Sequence, residues 1–276
     1  MTTMNFAAID QKIQALENCI ETTIPVRLEE QLYVGIDLGT AYIVVVVLNN
    51  ERQPVACAME FAQVIRDGLV VDYMGATRIV RKLVSQLQER LGRNLSHAAI
   101  AVPPGTGEGD CRTHSYVVEG AGLEVTSVLD EPTAANAVLG LENGVIVDIG
   151  GGTTGLSVLE HGRVTYVADE PTGGTHLSLV LAGSYRISFL EAEELKKQAD
   201  RHDEILPIVR PVVQKMASIV NHHIAGRNVS EIHLVGGTCC LKNMEQIMEK
   251  EIGKPVYKPT NPFLVTPLGI ALNCGV

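Results

Sequence analysis

Two glycine-rich segments of the sequence have the composition of phosphate-binding loops. The first reads Asp37-Leu38-Gly39-Thr40, and the second runs from Asp148 to Thr154 with three consecutive glycines. Glycine adopts backbone conformations that other residues avoid, so successive amides at such a turn can point into one concavity and bind phosphate oxygens. The threonine hydroxyls add further donors, and both segments are therefore candidate phosphate sites.

Each of these segments also carries an aspartate ahead of its glycines, at Asp37 and Asp148. A carboxylate beside bound phosphates requires a cation between them, and Mg²⁺ is the obvious candidate because it keeps several waters that carboxylates can hold. The alternative is that each segment is only a tight hairpin, for which Asp-Gly composition is common. The occurrence of the pattern twice, with similar flanking strands, favours the phosphate-binding interpretation.

The elements around these loops alternate between strand and helix patterns. Val55–Phe61 and Ala98–Val102 are predicted to be extended and Ala76–Leu91 helical, which is an α/β pattern. The segments 33–59 and 144–170 repeat one layout, in which an apolar strand, an acid, a Gly-Thr turn, a second strand, a polar turn and a third strand follow each other. A duplicated unit of this kind predicts two similar lobes.

The first residues form an amphipathic pattern. Apolar side chains recur at spacings of three and four, which predicts one helical stripe, and Thr22, Thr23 and Pro25 then indicate a short linker. Two interpretations stay open: the helix packs on its own domain, or it is offered to a partner's groove. The stripe consists of Phe6, Ile9, Ile13, Leu16 and Ile20.

The composition argues against several classes of function. The chain has 276 residues, 22 basic and 32 acidic, and its net charge of -10 repels nucleic acid and anionic membranes. Aromatic residues are 4% with no tryptophan, so stacking platforms for single-stranded nucleic acid are not expected. The longest apolar runs are strand-sized, and the start shows no secretion signal. We therefore expect a cytoplasmic protein.

Cysteine and histidine spacing gives no sign of a metal site or a disulfide framework. The six cysteines show no C-x-x-C spacing, and the adjacent Cys239 and Cys240 are expected to be small buried side chains rather than a redox pair. His222 and His223 precede Gly226 at the end of an apolar helical stretch, where they are expected to complement a helix C-terminus rather than bind metal.

The ordered motifs resemble those of Hsp70-type chaperones and the wider class of actin-like ATPases. VGIDLGTAY from Val34 and VDIGGGTTGLSVL from Val147 are similar to the two phosphate motifs, and the Glu-Pro-Thr-Ala-Ala core from Glu131 is similar to the first connecting motif. TGGTHLS, IHLVGGTCCL and TPLGIALN resemble the nucleotide-edge, adenosine and second connecting motifs. The resemblance implies a two-lobed α/β fold, a duplicated ribonuclease H-like fold with a nucleotide cleft between the lobes.

The resemblance also implies roles for individual residues toward ATP or ADP and Mg²⁺. Asp37 and Asp148 would hold the hydrated Mg²⁺, and Glu131 would orient the attacking water as a general base. For Glu131, simple stabilisation of a helix N-terminus is the alternative, and for Glu193 and Lys196 an ordinary surface ion pair is the alternative to ribose and adenine contact. The implied nucleotide-binding residues are Gly39, Thr40, Ala41, Gly150, Gly151, Gly152, Thr153, Thr154, Gly173, Gly174, Thr175, Glu193, Lys196, Gly236, Gly237 and Thr238.

Three departures from the Hsp70 pattern predict slow turnover. Ala41 stands where Hsp70 has threonine, Gly155 where it has aspartate, and a counterpart of its phosphate-contacting lysine is not evident. Since phosphoryl transfer depends on electrostatic positioning, loss of a cation beside the phosphate slows hydrolysis. We expect ATP binding with weak ATPase activity.

The motif order predicts the domain organisation and limits the hypotheses on function. Residues 1–28 form the helix and linker, 29–142 the first lobe, 143–264 the second and 265–276 the second connecting helix. Similarity to an Hsp70-like family of ethanolamine-utilisation proteins implies a chaperone, reactivation or assembly factor for ethanolamine-degrading enzymes, associated with a bacterial microcompartment. The alternatives are a nucleotide-binding recruitment scaffold without significant ATPase, a small-molecule kinase and a filament-forming actin homologue; the oligomeric state is left open.

Overall fold

The computed structural model describes residues 6–66 and 68–275, which separate into two compact units. Unit 1 contains the described residues up to Gly140 and those from Leu264 onward, and unit 2 is Leu141–Phe263. Unit 2 is therefore inserted into the sequence of unit 1.

Unit 1 is built on a mixed sheet with the strand order β3-β2-β1-β6-β7. The strands β1, β2 and β3 are antiparallel neighbours, whereas β1, β6 and β7 run parallel. A separate hairpin pairs β4 with β5. The elements are α1 (Phe6–Glu21), β1 (Tyr33–Leu38), β2 (Tyr42–Leu48), β3 (Pro54–Phe61), β4 (Ile65–Arg66), β5 (Leu69–Val70), α2 (Tyr73–Leu91), β6 (His97–Val102), α3 (Glu108–Gly120), β7 (Glu124–Asp130) and α4 (Glu131–Leu139).

The N-terminal helix α1 packs on its own unit, against β3. Ile9, Ile13 and Leu16 of the predicted stripe are buried, as is Cys19. The guanidinium of Arg90, in the last turn of α2, holds the end of α1 by donating to the carbonyl oxygens of Cys19 and Thr22, each at 2.9 Å. It also donates to Thr23 Oγ1 and to the Cys57 carbonyl of β3, again at 2.9 Å. The interpretation as an internally packed helix is thus confirmed.

Unit 2 has a sheet with the strand order β10-β9-β8-β11-β12. The strands β8, β9 and β10 are antiparallel neighbours, and β8, β11 and β12 run parallel. The core of unit 2 contains Val145, Val147 and Leu156 of the sheet together with Val213 and Met216 of the long α7. The elements are β8 (Gly144–Ile149), β9 (Thr154–Glu160), β10 (Arg163–Glu170), α5 (Gly174–Tyr185), α6 (Phe189–Lys197), α7 (His202–Ile224), β11 (Ile232–Val235), α8 (Met244–Ile252) and β12 (Val256–Tyr257).

The duplication predicted from the internal echo is confirmed, because the two sheets have the same order and the same strand directions. Asp37 is the fifth residue of β1, and Asp148 is the fifth residue of β8. Both glycine-rich segments therefore follow equivalent strands and lead directly into an antiparallel partner.

The last helix, α9 (Val265–Leu272), belongs to unit 1 and packs against α4 and β1 through backbone contacts. A Cβ added at Gly269 would lie 2.5 Å from the carbonyl carbon of Ala134, and one at Gly35 would lie 2.7 Å from the Cα of Ala271. Only glycine allows this approach. The guanidinium of Arg52 lies 3.3 Å over the ring of Tyr33 and donates to three carbonyls at the end of α9, those of Ala271, Leu272 and Cys274.

The cysteine and histidine predictions are confirmed in part. Cys239 is buried, but Cys240 is exposed and donates to Asn261, so the expectation that both are buried was wrong for Cys240. Both residues lie in the short 3₁₀ turn Gly237–Cys240, where successive side chains point in different directions, so Cys239 enters the core of unit 2 while Cys240 faces solvent. His222 and His223 lie in the last turn of α7 as predicted, and His223 contacts Tyr166 Oη at 2.8 Å.

Candidate functional site

In unit 1 the predicted residues lie at the edge of the sheet where parallel strands end. Asp37 is near the carboxyl end of β1, and Glu131 directly follows β7 as the first residue of α4. The loop Gly39–Ala41 connects β1 to β2, and a Cβ on Gly39 would lie 2.8 Å from the carbonyl oxygen of Tyr42. The carboxyl ends of parallel strands are the usual ligand-binding edge of an α/β sheet.

Glu131 begins a well-capped helix. Its neighbour Asp130 is the N-cap, and the two carboxylate oxygens of Asp130 accept hydrogen bonds from the Thr133 amide at 2.9 Å and from the Thr133 hydroxyl at 2.8 Å. Because Asp130 already satisfies this end of α4, Glu131 is not needed as the cap, although its charge also suits the helix dipole. This geometry is compatible with both interpretations made from the sequence.

In unit 2 the second loop, Gly150–Thr153, is held from behind by three donors. The Gly150 carbonyl accepts from the Gly174 amide at 2.9 Å and from the Thr238 hydroxyl at 2.8 Å, and the Gly151 carbonyl accepts from the Thr175 amide at 2.8 Å. In a trans peptide the N–H points opposite to the C=O. The amides of Gly151 and Gly152 therefore point away from these donors, and two successive amides with one orientation form an anion-binding concavity.

The nucleotide-edge and adenosine motifs contact this loop closely. A Cβ on Gly173 would lie 2.6 Å from the carbonyl carbon of Gly152, and one on Gly236 would lie 2.6 Å from the carbonyl oxygen of Ile149 and also clash with the Asp148 carboxylate. Gly236 has a φ of 91°, a conformation that favours glycine. By contrast, Gly237 lies against Phe263, so within this motif Thr238 contacts the loop at Gly150, and Gly236 contacts the end of β8 directly before the loop.

Asp148 also affects a buried neighbour. Burial raises the pKa of the Cys239 thiol well above its usual value, and the nearby Asp148 carboxylate raises that pKa further. A neutral thiol therefore lies beside the carboxylate that is predicted to hold hydrated Mg²⁺.

Thr154 is placed differently from the other loop residues. Its side chain is fully buried, and its hydroxyl donates to the carbonyl oxygen of Thr172 at 2.6 Å. The hydroxyl therefore ties the second loop to the turn before α5. Gly155 follows it, and the space beside Gly155 is filled by Asp169 of β10, whose carboxylate oxygen would lie 3.3 Å from an added Cβ. Asp169 was not among the residues chosen from the sequence.

Glu193 and Lys196 form a buried network, so the alternative of a surface ion pair is wrong. Lys196 Nζ donates to Glu193 Oε1 at 2.7 Å, to the Ser178 hydroxyl at 2.8 Å and to the Gly174 carbonyl at 3.1 Å. The two charged side chains are only 16% and 10% exposed. Burial lowers the pKa of Lys196 below its usual value, and the Glu193 carboxylate offsets only part of this effect. Ser178, which also donates to Glu193, ends the TGGTHLS motif but was given no role of its own, because a serine in an apolar helix does not reveal its partner.

The predicted residues thus form two groups. The second loop, Gly173–Thr175, Thr238 and Lys196 are in contact within unit 2. Asp37, the first loop and Glu131 share one sheet edge of unit 1. In the ranges 6–66 and 68–275, no three His, Cys, Asp or Glu side chains group as a metal site, and no helix is long and apolar enough to span a membrane.

Comparison with known proteins identifies similar chains over nearly the whole sequence. The ethanolamine utilization protein EutJ of Escherichia coli (strain K12) is 46% identical over 248 residues, which cover 90% of this chain and 87% of that protein. The chaperone DnaK of Thermus thermophilus is 25% identical over 261 residues, which cover 72% of this chain and 42% of DnaK. The family model of the cell division protein FtsA matches residues 145–269, and that of the MreB/Mbl protein matches residues 53–182.

Solved structures confirm the expected actin-like fold. The crystal structure of EutJ from Carboxydothermus hydrogenoformans matches with a TM-score of 0.92 at 49% identity, covering 97% of this chain and 99% of that one. MreB 5 of Spiroplasma citri, bound to AMPPNP, matches with a TM-score of 0.67 at 16% identity, covering 87% and 94% of the two chains. At that identity the MreB match shows the fold alone.

Proposed function

Because the chain belongs to the EutJ family of ethanolamine-utilisation proteins, within the superfamily of actin-like and Hsp70-like ATPases, we propose that it binds ATP with Mg²⁺ and hydrolyses it slowly. The second loop carries this proposal. Its carbonyls are tied back by Gly174, Thr175 and Thr238, so the Gly151 and Gly152 amides are oriented together for phosphate oxygens.

The chemistry of the proposed site follows from its residues. Asp148 and Asp37 would hold hydrated Mg²⁺, which neutralises charge that develops on the phosphates. Glu131 would accept a proton from the water that attacks the γ-phosphorus, as the bond to the β,γ-bridging oxygen breaks and ADP leaves. The missing lysine counterpart and Ala41 in the first loop support slow turnover.

We further propose that nucleotide binding regulates assembly or reactivation of ethanolamine-degrading enzymes in the cytoplasm, in association with a bacterial microcompartment. Relatives named for ethanolamine utilisation support this pathway. The second candidate is a recruitment scaffold that binds nucleotide without significant hydrolysis, and the departures at Ala41 and Gly155 favour it. The stripe of α1 is a poor recruiting surface for such a scaffold, because Ile9, Ile13 and Leu16 are already buried.

Calorimetric titration with Mg-ATP and Mg-ADP tests nucleotide binding. Asp148→Ala should weaken Mg-ATP binding at least about tenfold, equivalent to about 1.4 kcal/mol. Asp203→Ala, which removes only an exposed ion pair with Lys242, serves as the matched control and should bind normally. If Asp148→Ala binds Mg-ATP as tightly as the unmodified protein, the metal assignment is wrong.

Phosphate release separates the candidate functions once binding is measured. Glu131→Gln should keep Mg-ATP affinity and lose turnover, whereas the scaffold predicts that the unmodified protein already shows no release above background. Stimulation of release by purified ethanolamine-degrading enzymes would support the assembly factor. ADP formation without phosphate release, stimulated by a small hydroxyl compound, would indicate a kinase, because the γ-phosphoryl group then passes to the hydroxyl instead of to water. ATP-dependent light scattering would indicate a filament.

A further inference from the structure

An apolar surface on unit 1 stands out in the described part of the chain. The described residues include thirteen large apolar side chains that are exposed to solvent. Five of them lie where β5, α2 and α3 meet, and their exposed fractions range from 40% to 69%. The hydroxyl of Tyr73 donates to the Tyr116 carbonyl at 3.0 Å, and α3 packs against β5, so the three elements form one surface. We call this surface the arginine-rimmed patch; its apolar members are Leu69, Val71, Tyr73, Met74 and Tyr116.

The hairpin places an exposed arginine beside one of these apolar side chains. Arg66 is the cross-strand partner of Leu69, and paired residues point to the same face of a hairpin. The opposite face, with Ile65 and Val70, packs toward the core of unit 1. Leu69 and Arg66 are therefore turned outward together.

On α2 and on α3, an arginine likewise lies one helical turn from an apolar residue of the patch. Arg78 follows Met74 by four residues on α2, and Arg112 precedes Tyr116 by four residues on α3, so each pair shares a helix face. Arg66, Arg78 and Arg112 are all exposed. In contrast to Arg81, which donates to the Gly120 carbonyl, these three make no ion pair or hydrogen bond to any residue in the described ranges.

The arginines of the rim favour an acidic ligand although acids also lie near the patch. Asp72 is engaged as the N-cap of α2, and the acids of α3 include Glu108, one turn before Arg112, and Glu119, one turn beyond Tyr116, neither of which pairs with an arginine of the rim. Unpaired guanidinium groups thus border the patch on a chain whose net charge is -10. The carboxylates of a ligand could pair with these guanidinium groups, which are scarce on the surface of a chain with this many acidic residues.

We propose that the arginine-rimmed patch docks a segment of a partner protein that carries apolar side chains between carboxylates. Tyrosine, methionine and arginine are the residue types enriched at protein interfaces and their hot spots. Met74, the most exposed of the five, is flexible enough to adapt to an incoming side chain. The apolar contacts provide binding energy, and the arginines select the acidic sequence and its orientation.

Methyl-methionine NMR tests this proposal directly. Met74 reports on the patch, and the fully buried Met216, Met244 and Met248 of unit 2 are internal controls. The probe is a synthetic helical peptide with leucines at i, i+3, i+4 and i+7 and glutamates on both flanks, compared with a peptide that has lysines in the glutamate positions. We expect saturable movement of the Met74 signal with the glutamate peptide and at least about tenfold weaker binding of the lysine peptide.

Charge reversal makes the test specific to the rim. The triple variant Arg66→Glu, Arg78→Glu, Arg112→Glu should reverse the preference between the two peptides, whereas Arg210→Glu, at an exposed site on α7, should leave it unchanged. The proposal is overturned if the Met74 signal does not move, or if both peptides bind equally well. It is also overturned if the Met74 signal moves with protein concentration alone, because a second copy of the chain would then cover the patch. The titration contains no nucleotide, so its result is independent of ATP binding.

Discussion

Arg90→Met should release the end of α1 while the rest of the fold stays intact. Methionine keeps an apolar stem of similar length but removes four hydrogen bonds, to Cys19, Thr22, Thr23 and Cys57. If each hydrogen bond contributes a net free energy of about 1 kcal/mol, the four together stabilise the packed end of α1 by about 4 kcal/mol. Since 1.4 kcal/mol is a factor of ten, amide exchange in α1 should accelerate by roughly several hundredfold, provided that α1 opens locally.

Hydrogen-exchange mass spectrometry measures this effect segment by segment. Peptides from α8 in unit 2 are the internal reference, and Arg78→Met, an exposed arginine on the same helix as Arg90, is the matched control. Unchanged protection of α1 in Arg90→Met would refute the reasoning, because the four bonds would then contribute nothing measurable. Equal acceleration in α8 would show instead that the substitution lowers global stability and that α1 does not open alone.

Three further predictions follow from buried contacts of unit 2 and from thiol exposure. Gly236→Ala should lower Tm and weaken Mg-ATP binding at least about tenfold, since the new methyl meets Asp148 and the Ile149 carbonyl; normal calorimetric titration would contradict this. Lys196→Met should lower the free energy of unfolding in urea by about 3–5 kcal/mol, because Glu193 is left buried and unpaired, and adding Glu193→Gln should recover part of the loss. Cys240 should be the first thiol to react with a thiol reagent at pH 8, and Cys240→Ser should remove this fast phase of the reaction. Three other thiols should stay unreactive until the protein unfolds, because burial raises their pKa values: Cys19, Cys57 (to about 12) and Cys239.

Local patterns in the sequence predicted the elements well. The stripe from Phe6 to Ile20 lies on α1, which ends one residue later at Glu21, since a helix that buries one face must repeat apolar residues at its own period. The duplicated layout predicted the three antiparallel strands of each five-stranded sheet, because such a strand triplet needs its strand and turn residues in a fixed order. Gly173 and Gly236 were recognisable as glycines of ordered motifs, and their close approach to the backbone of Gly152 and Ile149 explains why the residue type is restricted there.

Contacts between distant parts of the sequence could not be predicted in this way. Arg90 looks like any charged residue near a helix end, and its four acceptors are supplied by α1, the linker and β3. The spacing of Glu193 and Lys196 is the same for a surface pair and a buried one, and only the packing of α6 on α5 decides between them. Asp169 reaches Gly155 through strand pairing, which the motif alone does not reveal.

The return of α9 to unit 1 affects how the protein folds during synthesis. Residues 141–263 are contiguous and can begin to fold as soon as they leave the ribosome, because their sheet and helices come from a single stretch of chain. In unit 1, by contrast, the surfaces of β1 and α4 that α9 covers stay uncovered until Gly269 and its neighbours have been synthesised. The half translated first therefore completes its core last, and it exposes apolar surface to chaperones throughout that interval.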